Sequence, residues 1–456
     1  MIFKRIKSNG LAHFSYFVSS ENEAFVVDPR RDCDIYVEMV YNVGSTIKYV
    51  FETHRNEDYV IGSKELTQIG DAKIYHGPGL DWEYGNTVND GQKFEVGNLK
   101  VKAIHTPGHT DESMSYVLYD ITSGLEPIMV FTGDALFIGD VGRTDMYGPT
   151  EARRMASNLY ESLFNKILPL GDQAIICPAH GEGSVCGGNI SSRELSTIGL
   201  ERLQNPILQI TDKEKFLNYK MEEQHFFSPY FKKMEEYNLK GAPLLRTRKK
   251  AKPMLPKEFK NYMENGAIVI DTREPAPFGG AHIKGSYNIL LEGIPLWIGM
   301  ILSYDEDVLL IVDGYKELEI ADKYLLRLGY DRIKGYLVGG IVSWYSVSLP
   351  TESIPLLTAE DLKKWLENGK DITVLDVRNE DEWRKGHVKG AKNIYIGNLE
   401  NNVDELSKDK TIVTLCGNGT RASFAASILR RNGFGNVYSV LGSMKAWNKA
   451  GYPVVK

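Results

Sequence analysis

The sequence predicts a multidomain α/β protein, on three observations. At 456 residues the chain is too long for one ordinary core and, at about 150 residues per domain, makes roughly three. Residues 1 to about 240 alternate short apolar strands with helical patterns. The remainder holds two copies of one unit of about a hundred residues. A hydrophobic content of 42% with 25% charged residues is that of a soluble globular chain. The formal net charge of −6 argues against a nucleic-acid or anionic-membrane partner. The opening residues, MIFKRIKSNG, contain no apolar signal core, and no run reaches about 18 apolar residues, so no membrane segment is expected. Four cysteines (Cys33, Cys177, Cys186 and Cys416) are too few for a disulfide framework in so long a chain. A reducing, cytoplasmic setting follows, in which a special cysteine is chemical rather than structural.

Taken in order, Ala24-Phe25-Val26-Val27-Asp28-Pro29 reads as a strand ending in a polar turn. Residues 47–51 form a second apolar strand, which stops abruptly in Glu52-Thr53-His54-Arg55-Asn56-Glu57-Asp58-Tyr59. The pattern recurs three times. Residues 101–104 run into His105-Thr106-Pro107-Gly108-His109, residues 128–131 into Thr132-Gly133-Asp134, and residues 174–177 into Pro178-Ala179-His180. Between the last two, a helix is predicted from an N-cap at Thr150 to about Ile167. Residues at the carboxyl ends of strands meet in one crevice in α/β folds. Four strands that each deliver His or Asp there have the composition of a metal site. His76, His105, Cys33 and Cys177 read as core or surface fillers.

His54-x-x-x-Asp58, Thr106-Pro107-Gly108-His109, Thr132-Gly133-Asp134 and Pro178-Ala179-His180-Gly181 resemble, in that order, the ligand motifs of the metallo-β-lactamase superfamily. The resemblance implies an αββα sandwich over residues 1–245 with the metal at one edge. The usual first motif is His-x-His-x-Asp-His; here it reads His54-x-Asn56-x-Asp58-Tyr59 and lacks two histidines. Hydrolases of the glyoxalase II kind hold two ions, and these changes remove one ligand from each. An amide oxygen is a poor substitute for imidazole towards zinc, and a phenol of pKa about 10 must first lose its proton. His54, His109 and Asp134 remain as a complete two-His-one-carboxylate set, the arrangement of mononuclear non-haem Fe(II) oxygenases. The persulfide dioxygenases are the branch of the superfamily that uses these three positions. Gly133-Asp134-Ala135-Leu136-Phe137 with Gly142-Arg143-Thr144-Asp145, and Gly181-x-Gly183-Ser184-x-Cys186-Gly187, extend the resemblance. Asp58 and His180 are expected to hydrogen-bond around the ion or to bind a second one, and Tyr59 to shape the pocket or simply pack. Arg143 would pair with Asp145 or position an anionic substrate; Cys186 would be a substrate-handling thiol or a buried small residue.

Residues 240–256, with Arg246-Thr247-Arg248-Lys249-Lys250-Ala251-Lys252-Pro253, read as a solvated linker. Beyond it the repeat is explicit. Asp271-Thr272-Arg273 matches Asp376-Val377-Arg378, and His282-Ile283-Lys284-Gly285 matches His387-Val388-Lys389-Gly390. Trp344 likewise matches Trp447, and residues 349–355 join the copies. The second copy opens at Thr358-Ala359-Glu360-Asp361, a capping-box-like helix start. In it a strand runs into Cys416-Gly417-Asn418-Gly419-Thr420-Arg421, followed by a helix from about Ala422 to Arg431. Such a loop turns backbone N–H groups and a helix N-terminus towards one point, and Arg421 adds a full charge, so a thiolate is favoured there. That suits sulfur transfer through a cysteine persulfide, with Gly417, Asn418, Gly419 and Thr420 as the cradle. A Cys-x5-Arg phosphatase loop would be one residue longer. The two copies resemble rhodanese domains, over 254–350 and 356–456. In the first, Asp313 and Leu318 replace the cysteine and arginine, so that copy is expected to be inactive and structural.

The layout of one metallo-β-lactamase domain and two rhodanese domains resembles the persulfide dioxygenase–sulfurtransferase fusions over essentially the whole chain. It implies one Fe(II) per chain, with low-molecular-weight thiol persulfides and O2 as substrates and sulfite as product. Cys416 would pass sulfur to sulfite to give thiosulfate, or load a carrier thiol. The alternatives are a zinc-dependent thioester hydrolase fused to a sulfurtransferase, and a non-catalytic first domain with only Cys416 active. The residues do not select among glutathione, coenzyme A and bacillithiol, nor fix the direction of sulfur flow. Relatives often self-associate, so a homo-oligomer falls within the expectation, although no interface is visible in these residues.

Overall fold

Short strands rich in β-branched and aromatic residues build two sheets in the first part of the chain. The computed structural model describes residues 1–223, 225 and 227–456. It forms two compact units, Met1–Thr247 with Leu326–Gly329, and Arg248–Leu325 with Tyr330–Lys456. In the first unit Ile2–Ser8 (β1), His13–Ser20 (β2), Glu23–Val27 (β3), Thr46–Phe51 (β4), Lys73–His76 (β5) and Asn86–Thr87 (β6) lie side by side in that order. β1 to β3 pair antiparallel and β3 to β6 parallel. Lys93–Val96 (β7), Leu99–His105 (β8), Met114–Asp120 (β9), Met129–Gly133 (β10) and Ile175–Pro178 (β11) form the second sheet. It is antiparallel except between β10 and β11.

The inner faces of these sheets meet in an aromatic core. Phe51 lies between Phe94 and Tyr116, with ring centroids 4.9 and 4.7 Å away, and Phe25 and Phe131 meet edge to face. The outer faces are covered by helices. Asp34–Val43 packs Tyr36 on Val26 and Val50, and Pro149–Glu161 packs Ala156 and Leu159 in the cluster of Val130 and Ile176. The result is an αββα sandwich. The second of these helices starts earlier than Thr150. Gly148, at φ 87°, is its N-cap and Pro149 its first residue, where the missing N–H costs nothing. It continues as a π-helical turn, Ser162–Ile167.

The second unit contains two all-parallel five-stranded sheets. Lys252–Met254 (β12), Ile268–Asp271 (β13), Tyr287–Asn288 (β14), Val308–Ile311 (β15) and Ile333–Leu337 (β16) are ordered β12-β16-β15-β13-β14. Leu356–Leu357 (β17), Ile372–Asp376 (β18), Lys392–Asn393 (β19), Thr411–Leu415 (β20) and Val437–Val440 (β21) are ordered β17-β21-β20-β18-β19. The two orders are the same. The duplication extends to single hydrogen bonds. The Asn288 amide donates to the Asp271 and Arg273 carbonyls as Asn393 does to Asp376 and Arg378. Trp344 donates to Pro350 as Trp447 does to Pro453. The basic segment is less solvated than its composition suggests: β12 is an edge strand paired with β16, and Arg248 is paired with Asp322 at 2.6 Å. Among the described residues no helix is long and apolar enough to cross a membrane.

Candidate metal centre and cysteine loop

Three strand ends bring His54, His109 and Asp134 together. After β4, Thr53 donates its N–H and hydroxyl to the Asp28 carboxylate at 2.8 and 2.7 Å. With its hydrogen spent there, Thr53 Oγ1 accepts from His54 Nδ1 at 2.9 Å, which leaves Nε2 as a bare acceptor. His109 Nδ1 lies 3.1 Å from the Arg143 carbonyl, which can only accept, so Nδ1 carries a proton and Nε2 is the nitrogen turned towards Asp134. Both Nε2 atoms are 3.7 Å from Asp134 Oδ2. Both are buried without a hydrogen-bond partner. Donors bound at about 2.0–2.2 Å to one ion stand about 3–3.6 Å apart, so this set fits a metal after small adjustment. Two glycines permit the approach. A Cβ at Gly133 would lie 2.7 Å from Thr53 Oγ1, and one at Gly108 would lie 2.4 Å from the Leu159 Cα.

Glu57, which the motif comparison passed over, also points into the cluster. Its Oε1 is 3.2 Å from His109 Nε2 and its Oε2 3.8 Å from His54 Nε2. Asn238 shapes the loop that presents it, donating to the Asn56 and Tyr59 carbonyls at 2.7 Å and accepting from Ile61 N–H at 2.9 Å. Asn238 lies on the helix Phe231–Lys240, far away in sequence, and no motif announced it.

Around this group stand the other expected residues. His180 Nδ1 is 2.8 Å from Asp134 Oδ1, and its Nε2 is 3.1 Å from Asp58 Oδ2. Cys186 is buried and donates its thiol to Glu57 Oε1 at 3.2 Å. Glu57, His109, Asp134 and Cys186 form one convergent group of donors, and Asp58, His180 and Cys186 form another, so Cys186 belongs to both. Tyr59 packs at a tilt against His13, ring centroids 3.9 Å apart, its hydroxyl buried and unpartnered. Arg143 is buried and forms a two-pronged pair with Asp145 at 2.6 and 2.9 Å. Burial alone would lower the His109 imidazole, but Glu57 and Asp134 outweigh it and push it up to about 9. For Glu57, burial works upward and is overcome by His109 and His54, which hold it well below the usual carboxylate range. Burial also works against the charged form of His180, and Asp134 and Asp58 raise it well above its ordinary value. The cluster is an anionic pocket in which cationic charge is stabilised. His105 Nε2 donates to the Asp111 carbonyl at 2.7 Å; His76, Cys33 and Cys177 are buried.

In the second unit β20 ends at Cys416, whose Sγ accepts from Gly419 N–H at 3.1 Å. Cys416 N–H donates to Ser443 Oγ at 3.1 Å. The following helix, Thr420–Arg431, starts two residues earlier than expected, with Gly419 at φ 109° as its N-cap. Arg421 is fixed by a bidentate pair with Glu382 at 2.6 and 2.7 Å. A cleft of about 340 Å³ opens over this loop. Leu290, Leu296 and Trp297 of the first copy line it together with Asn418, Arg421 and Phe424 of the second. The copy without a cysteine is therefore more than a spacer: it forms one side of the cleft.

An αββα sandwich with a His–carboxylate cluster at the carboxyl ends of its strands defines an enzyme of the metallo-β-lactamase fold with a potential metal site. Residues 8–180 match the metallo-beta-lactamase superfamily model, and residues 255–347 and 358–450 each match the rhodanese-like domain model. The mitochondrial persulfide dioxygenase of Bos taurus is 30% identical over 202 residues, 42% of this chain and 69% of that protein. A hydroxyacylglutathione hydrolase of Dictyostelium discoideum is 29% identical over 37% of this chain and 62% of its own length. The crystal structure of a metallo-beta-lactamase from Staphylococcus aureus subsp. aureus COL superposes with a TM-score of 0.66 at 29% identity, covering 74% of this chain and 98% of that one. The chain belongs to the persulfide dioxygenase-like metallo-β-lactamases and carries two rhodanese-like domains after the metallo-β-lactamase domain.

Proposed function

We propose that this chain oxidises low-molecular-weight thiol persulfides with O2 at one Fe(II) held by His54, His109 and Asp134, and that Cys416 transfers sulfur. The balance is RSSH + O2 + H2O → RSH + sulfite + two protons, with the terminal sulfur giving four electrons to O2. Cys416 thiolate takes the outer sulfur of a second thiol persulfide, releasing RSH, and the resulting Cys416 persulfide gives that sulfur to sulfite, which releases thiosulfate and the Cys416 thiolate. The observation that carries this reading is the pair of unpartnered imidazole nitrogens of His54 and His109 facing Asp134, in a loop where Asn56 and Tyr59 stand in place of two further histidines. Bound Fe(II) supplies open coordination positions and one-electron chemistry. The protein does the rest. Thr53 and the Arg143 carbonyl fix both imidazole tautomers, and the buried surroundings keep water from the reacting sulfur. At the second site Gly419 N–H and the Arg421–Glu382 pair hold the loop in which Cys416 receives and passes sulfur.

A second reading, a zinc-dependent thioester hydrolase fused to a sulfurtransferase, is favoured by the convergence of Asp58, His180 and Cys186 and by the likeness to the hydroxyacylglutathione hydrolase. Product analysis separates the two. Anaerobically iron-loaded protein is given glutathione persulfide and O2. The wild type is expected to consume O2 and form thiosulfate, Cys416→Ala to consume O2 and accumulate sulfite, and His54→Ala to do neither. No uptake with glutathione, coenzyme A or bacillithiol persulfide, with iron confirmed bound, would overturn the first reading. Hydrolysis of a glutathione thioester by the zinc-loaded protein would support the second.

A further inference from the structure

We propose that Glu57 is a fourth protein ligand of the ion held by His54, His109 and Asp134, supplying the donor that the amide at Asn56 does not; this rests on the metal centre proposed above. Glu57 is buried to 1% exposure, and its Oε2 has no hydrogen-bond partner. An ionised carboxylate so placed is costly unless a cation faces it. Its two oxygens stand 3.2 Å from His109 Nε2 and 3.8 Å from His54 Nε2, close to the spacing from those nitrogens to Asp134. The shorter distance is within the range of about 3–3.6 Å for donors sharing one ion, and the longer reaches it with the same small adjustment as the Asp134 pairs. The side chain is aimed from outside as well. Cys186 donates its thiol to Oε1, and Asn238 clamps the loop on both sides of Glu57.

Two carboxylates neutralise a divalent ion, where one carboxylate with two neutral imidazoles would leave a net positive charge. With Glu57 added, His54, His109 and Asp134 would still leave an ion open to substrate. Oxygen donors on two sides suit Fe(II) or Mn(II) better than soft ions.

The test is the binding of Co(II) and, anaerobically, Fe(II) to the full-length protein, by competition with a chromophoric chelator and by the visible bands of the Co(II) form. Changing a residue that merely orients a ligand weakens binding about 10–100-fold. Glu57→Gln, which keeps the shape, is expected to exceed that and to shift the Co(II) bands, and Glu57→His to recover most of the affinity. Asn56→Ala is expected to change neither. A measurement on the wild type needs no variant: with glutamate carboxyls labelled with 13C, metal addition should shift one carboxylate stretch in the infrared difference spectrum. Unchanged affinity and bands in Glu57→Gln, loss of the ion in Asn56→Ala, or no shifted glutamate stretch would each overturn the proposal while leaving the three-residue centre intact. Failure of the wild type to bind either ion would overturn both.

Discussion

Thr53 illustrates how a single hydroxyl would govern the proposed metal site. Because it donates to Asp28, it must accept from His54, and so it decides which imidazole nitrogen is free. Thr53→Val keeps the shape and removes that control. Its affinity for Fe(II) is expected to fall about 10–100-fold, read by chelator competition, with little change in fold. At the other site Arg421→Lys keeps the charge but breaks the bidentate pair with Glu382. Thiosulfate sulfurtransferase turnover is expected to fall at least about tenfold, while O2 uptake at the metal centre is unchanged. His54, His109, Asp134 and Cys416 were legible in the sequence because each ends an apolar strand, where a polar side chain has no reason to be unless it serves the edge. Thr53, Asp28, Asn238 and Glu57 were not. Their positions depend on which loops fold against one another, and that is not encoded in any local pattern.

At the scale of elements, strands were easier to read than helix ends. All four strands leading into the site lie where apolar runs predicted them, within a residue or two. The Pro149–Glu161 helix starts at Gly148-Pro149 rather than Thr150, because a positive-φ glycine and an N1 proline displace the usual polar cap. The capping box at Thr358 formed as expected: Asp361 N–H donates to Thr358 Oγ1 at 3.1 Å and Asp361 Oδ2 accepts from Thr358 N–H at 2.9 Å. Thr358→Ala is expected to lower stability by about 1 kcal/mol in urea unfolding, without touching either chemistry. Gly108 is the opposite case. At φ 148°, and with a Cβ that would sit 2.4 Å from Leu159 Cα, it admits no side chain. Gly108→Ala must push the His109 loop off the helix. It is expected to lose bound iron together with roughly 2–3 kcal/mol of stability, measured by metal content and unfolding of the same sample.

At the scale of the molecule, the duplication was visible in the sequence, but the part played by its first copy was not. Asp313 in place of a cysteine leads to the expectation that this copy carries no sulfane sulfur. It says nothing about Leu290, Leu296 and Trp297, which line the cleft over the Cys416 loop. Trp297→Ala is expected to raise the KM for the sulfur acceptor several-fold while leaving O2 uptake unchanged. The first copy also has its own pH dependence. Burial holds the His282 imidazole at about 4, although Nδ1 is hydrogen-bonded to the Phe278 carbonyl at 2.9 Å. An unfolded histidine titrates near 6.5. Below that pH the unfolded chain takes up a proton that the folded chain refuses, so stability is full above about 6.5 and is lost as the pH falls towards 4. The drop in urea midpoint between pH 7 and pH 4.5 is expected to be smaller in His282→Asn than in the wild type.

The most direct measurement is the number of metal ions per chain after anaerobic reconstitution with excess Fe(II) and removal of unbound ion. One ion per chain, lost in His109→Ala and retained in Asp58→Asn, is expected for a mononuclear centre on His54, His109 and Asp134. Two ions per chain, one of them lost in Asp58→Asn, would contradict it and point to the dinuclear hydrolase.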